Sequence, residues 1–98
     1  MAPQTIEAIK NKETRGCIMR ALALSKFRAI SSHTLQMSLI EKDTDIMPQL
    51  YYLADKGYIT VVDVKQDNLT GIDYLVNLTA KGVDLIEGNI QTDPGIAL

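Results

Sequence analysis

The sequence predicts an α+β fold with a three-helix core, a two-stranded antiparallel hairpin and a C-terminal helix. Three observations predict it. In residues 43–59 the apolar Ile46, Leu50, Leu53 and Ala54 recur at helical spacing, and Gly57 follows where a left-handed C-cap needs a residue without a Cβ. From Tyr58 the pattern turns extended. Tyr-Ile-Thr-Val-Val-Asp-Val is followed by the turn-forming Asp67-Asn68-Leu69-Thr70-Gly71 and then by Ile72-Asp73-Tyr74-Leu75-Val76-Asn77-Leu78. Finally, Thr79 and Gly88 bracket a last helical run, Ala-Lys-Gly-Val-Asp-Leu-Ile-Glu.

Taken in chain order, residues 5–26 read as helix, with Thr5 as its cap and a break point near Asn11. Ile6 and Ile9 lie on the first piece, while Cys17, Ile18, Ala21, Leu22 and Leu24 give the second a broad apolar side. Lys10, Lys12, Arg15 and Arg20 form either a solvated face or a basic surface for phosphates. Residues 25–32 are a connection anchored by Phe27 and Ile30. Ser31 or Ser32 caps a second helix that runs to about Ile40 and turns Leu35 and Leu39 inward.

Glu41-Lys42-Asp43-Thr44 is a polar turn into the third helix, residues 45–56. Asp45, or Thr44 one residue earlier, caps that helix, which leaves Pro48 in the first turn, where its missing N–H costs little. Gln49, Tyr52, Asp55 and Lys56 look away from the apolar stripe, and at least one of Tyr51 and Tyr52 is expected to fill core or an interface. In the hairpin Ile72, Tyr74, Val76 and Leu78 share the core face, so Val62, Val64 and Leu75 need a cover from residues 89–98 or from a partner chain. Asp93-Pro94-Gly95 breaks regular structure before the apolar Ile96-Ala97-Leu98, and this stretch is either frayed or docked on an apolar surface.

Composition narrows the function. The 98 residues, 46% apolar and 22% charged, suit one globular domain over 1–98, with its core at about 13–88 and a tail at 89–98. No apolar run approaches the roughly 18 residues of a membrane span, and Met-Ala-Pro-Gln-Thr lacks a basic segment leading into an apolar one, so a soluble cytoplasmic protein is expected. Cys17 is the only cysteine and reads as an inert buried thiol. Catalysis lacks its parts. His33 is the only histidine, no zinc-ligand spacing exists, no Gly-rich loop joins a strand to a helix, and the aspartates follow no calcium-loop pattern. Neither an enzyme nor a cofactor nor a metal is expected. Residues 1–30 hold six cations, Lys10, Lys12, Arg15, Arg20, Lys26 and Arg28, against Glu7 and Glu13, a balance of +4; the remainder carries −6, for a net −2. That acidic remainder weighs against a general nucleic-acid surface.

The order helix, short strand, helix, turn, helix, strand, loop, strand, helix over about residues 13–88 resembles the winged helix-turn-helix superfamily, and the resemblance implies that Ala29-Ile30 supplies the short strand. Two junctions carry the likeness: Leu-Ala-Asp-Lys-Gly-Tyr-Ile at 53–59 and Leu-Thr-Ala-Lys-Gly-Val-Asp-Leu-Ile-Glu-Gly at 78–88. Size and layout look like small regulators of bacterial or phage type. The resemblance implies a DNA-binding transcriptional regulator in which helix 45–56 enters the major groove and loop 65–71 is the wing. Its implied contacts are Ser32, Thr44, Gln49, Tyr52, Lys56, Lys65 and Asn68, with Gln49 placed to read an adenine edge and the Ser31 and Ser32 amides near a phosphate. Double-stranded DNA and a second copy in a homodimer are the implied partners. Among the helix residues that look outward, Lys56 is the one cation, so a winged-helix protein-interaction module without DNA binding is the alternative.

Overall fold

A computed structural model describes residues 5–64 and 73–98. The chain is α+β. Helices α1 (Ile6–Leu24), α2 (Ser32–Ser38), α3 (Met47–Asp55) and α4 (Ala80–Glu87) surround strands β1 (Ile30–Ser31), β2 (Ile59–Val64) and β3 (Asp73–Leu78). The sheet is antiparallel in the order β1-β3-β2, with Val76 opposite both Ile30 and Val61 and Leu75 opposite Val62. Among the described residues it has three strands, because β1 adds to the expected hairpin.

Local chemistry explains most boundaries. Thr5 caps α1 by accepting from the Ala8 amide at 3.0 Å, Ser31 caps α2 through the Thr34 amide at 3.1 Å, and Thr79 caps α4 through the Gly82 amide at 3.1 Å. Gly57 takes φ +86° just past α3, the left-handed turn that redirects the chain into β2.

Several expectations need correction. Helix α1 is unbroken at Asn11, because that side chain accepts from Gln49 rather than competing for its own backbone. Phe27 is 41% exposed and no anchor: Lys26 and Phe27 both take positive φ, and the reversal swings the ring outward. The first strand sits one residue later than Ala29-Ile30, where it pairs with β3. Helix α2 stops at Ser38 because Gln36 clamps the following turn, donating to the Asp43 carbonyl at 2.7 Å and accepting from the Ile46 amide at 2.8 Å. Ile46, not Asp45 or Thr44, is the N-cap of α3; Asp45 still accepts from the Met47 amide.

The core lies where α1, α3 and the inner sheet face meet, with Ile18, Met19, Leu22, Leu35, Ile46, Leu50, Leu53 and Val76 essentially solvent-free. Of the expected core face of β3, Val76 and Leu78 are buried and Tyr74 half-buried; Ile72 lies outside the described residues. The 93–97 stretch is docked, with Ile96 6% exposed inside the core cluster. It lies along α1 and α3, so it leaves Val62 at 55% and Leu75 at 42% exposure on the outer sheet face.

Candidate functional site

The polar side of α3 was the expected reading surface, and its geometry is now explicit. Gln49 points inward, 6% exposed. Its Oε1 accepts from Arg15 Nε at 2.7 Å and its Nε2 donates to Asn11 Oδ1 at 3.1 Å, so both ends of the amide are used inside the fold. The Arg15 guanidinium lies over the Tyr52 ring, its Cζ 3.6 Å from the centroid, and Nη1 donates to the Gly95 carbonyl at 3.0 Å. One turn on, Lys56 Nζ stands 3.3 Å from Asp93 Oδ2.

Asp93 is the second centre of this network. It accepts from the Tyr58 hydroxyl at 2.7 Å and from the Gly95 amide at 2.8 Å. Burial works to raise its pKa, but those two hydrogen bonds and the Lys56 ammonium outweigh it and hold the carboxyl below its ordinary range. Burial first, then the hydrogen bond and negative charge of Asp93, push the Tyr58 phenol up to about 12. Farther along, the Ala97 amide donates to the Lys12 carbonyl at 3.0 Å and Arg20 Nη1 donates to the Ala97 carbonyl at 3.2 Å. Gly16 makes that approach possible, since a Cβ there would run into the Ala97 carbonyl.

The expected contact residues therefore part company. Gln49 is turned into the fold, 6% exposed, with a hydrogen bond at each end of its amide. Tyr52 is half-buried beneath Arg15, and Lys56 remains exposed but is drawn to Asp93. Ser32 is buried, its hydroxyl accepting from the Tyr74 amide at 3.2 Å. Thr44 is exposed, as expected, in the turn before α3. Lys65 and Asn68 lie outside the described residues. What α3 and its preceding turn show to solvent is Glu41, Lys42, Thr44, Asp45, Pro48, Tyr51 and Asp55, three carboxylates against the single cation Lys42, with the exposed Lys56 just past the helix drawn to Asp93. Tyr51 leans on Tyr74, whose phenol is pushed up first by Tyr51, so of the two tyrosines Tyr52 is the one tied into the interior.

Arg15 and Asp93 are the centres that sequence reasoning passed over. Arg15 had been grouped with a solvated face, and Asp93 read only as a turn residue. The available signal was an apolar triplet directly after Asp-Pro-Gly, a turn followed by something worth burying. Cys17 is a half-buried free thiol, and His33 is exposed on α2. Among the described residues no group of three His, Cys, Asp or Glu side chains is placed to hold a metal, and no helix is long and apolar enough to cross a membrane.

No family model matches the chain, and neither a curated protein nor a solved structure does.

Proposed function

We propose that the chain is a winged-helix domain that acts as a protein-interaction module and self-associates. One observation carries this reading: the outward stripe of α3 and its preceding turn bears Glu41, Asp45 and Asp55 against Lys42 alone, while Arg15 and Lys56 are committed to Gln49, Gly95 and Asp93. Presented to a duplex, that net negative stripe meets phosphate repulsion that one lysine does not offset. A protein surface has no such objection. The exposed Val62 and Leu75 stand directly opposite each other across β2 and β3, forming an apolar pair on the outer sheet face that a second copy would cover.

Sedimentation equilibrium tests it. A dimer is expected, with Val62→Lys shifting the chain toward monomer while its circular dichroism stays unchanged. A wild type that remains monomeric and captures no partner protein removes the reading.

A transcriptional regulator that binds double-stranded DNA is the second reading. The specific observation in its favour is the α2-turn-α3 unit, braced by Gln36, followed by a hairpin whose connecting residues include Lys65 and Asn68. It requires duplex binding that weakens steeply between about 50 and about 200 mM salt. Duplex binding with that dependence would reverse the order of the two readings.

A further inference from the structure

Residues 93–97 fill a groove between α1 and α3 whose two walls present a complete set of peptide-recognising groups. Lys56 and the Tyr58 hydroxyl hold a carboxylate, Arg15 and Arg20 donate to two backbone carbonyls, the Lys12 carbonyl accepts one backbone amide, and an apolar slot takes Ile96. The stretch is attached through residues 89–92, all exposed, beyond the left-handed C-cap Gly88. Among the described hydrogen bonds, those of this connector run only to the end of α4, from Asn89 to Asp84 and Glu87. It can therefore leave the groove without breaking a helix or the sheet.

We propose that this groove is a binding site for a turn-forming segment of a partner protein that bears a carboxylate, and that residues 93–97, which turn through the Ile96 amide donating to the Asp93 carbonyl at 3.1 Å, are its built-in competitor. The inference rests on the interaction-module reading and names the chemistry of the partner: a carboxylate, a glycine two residues on, and a branched apolar residue directly after it. Peptide is favoured over nucleic acid by the groove itself. A buried apolar slot and a carbonyl that accepts an amide proton have no counterpart to recognise on a phosphate backbone, whereas a peptide supplies both. The docked stretch taxes the partner's affinity in proportion to the fraction of molecules in which the groove is closed.

The test uses the full chain and a fluorescein-labelled peptide of sequence Asn-Ile-Gln-Thr-Asp-Pro-Gly-Ile-Ala-Leu, read by anisotropy. Ile96→Ser, which weakens the internal competitor, should bind the peptide at least about tenfold tighter than the wild type. A peptide with its aspartate changed to asparagine and its second isoleucine to serine should lose that gain. Equal binding by wild type and variant, or equal binding of the two peptides, overturns the proposal.

Amide exchange on the wild type stands beside it, in case the variant does not fold. The Ala97 amide should exchange at least about tenfold faster than those of Leu53 and Ala54 in α3, because the stretch opens on its own. Exchange at the same rate as α3 would make residues 93–97 a permanent part of the core and end the idea. Peptide failure in a chain that still dimerises through Val62 and Leu75 overturns the groove alone. A monomeric chain that binds the peptide instead removes self-association and keeps the groove.

Discussion

Replacing Gln49 by alanine separates the two possible lives of α3. Were this side chain a groove-reading residue on an outer face, its removal would change stability by no more than about 0.5 kcal/mol. The structure gives it two hydrogen bonds instead, one of them from a guanidinium. A bond to a charged group contributes about 1.5–3 kcal/mol and a neutral one about 0.5–1.5 kcal/mol. Water entering the half-buried network recovers part of that sum, which leaves a loss of about 2 kcal/mol. In a domain of this size about 2 kcal/mol lowers the melting temperature by roughly 10 °C. Urea unfolding should show a lower midpoint at unchanged slope, since compactness is not altered. A parallel Thr44→Ala variant, on the exposed turn, should stay within about 0.5 kcal/mol of wild type. A Gln49→Ala protein as stable as wild type would refute the inward assignment and return this side chain to the solvent face.

Other outcomes follow from the same contacts. Leu50 is solvent-free in the core cluster, so Leu50→Ala should cost about 2–5 kcal/mol in urea unfolding, a large share of a small domain's stability. Gly16→Ala places a Cβ against the Ala97 carbonyl; the protein should stay folded but lose about 1–3 kcal/mol, with hydrogen exchange accelerated at Ala97 before any core amide. Asp93 has a folded pKa below its ordinary value, so its contribution is present above pH about 4 and is lost as pH falls through the folded value. Acid titrations of Asp93→Asn should lack that portion of the stability loss. Tyr58 behaves with the opposite sign: its pKa is raised to about 12, so its contribution is intact below pH 10 and disappears between there and about 12, as ultraviolet titration of the phenolate would follow.

Much of the fold was legible because its signals are local. Thr5, Ser31, Thr79, Gly57 and Gly88 act on amides or dihedrals within a few residues, and a cap needs no knowledge of the rest of the chain. The apolar stripe Ile46, Leu50 and Leu53 was equally readable, and all three are buried. The slips came where a distant group intervened. Asn11 did not break α1 because Gln49 reached it from α3, and α2 ended early because Gln36 turned back on the loop.

By itself, then, the sequence determined the α+β class, the helices and strands to within a residue or two, and the absence of a recognisable catalytic or zinc-ligand pattern. Only the tertiary structure decided which polar residues of α3 meet water. Periodicity says that Gln49, Tyr52 and Lys56 leave the apolar stripe, but not whether the space beyond is solvent or another part of the chain. Arg15, 34 residues before Gln49, and Asp93, 35 residues after Tyr58, occupy that space, and hydrogen bonds across such separations leave no periodic trace in a sequence.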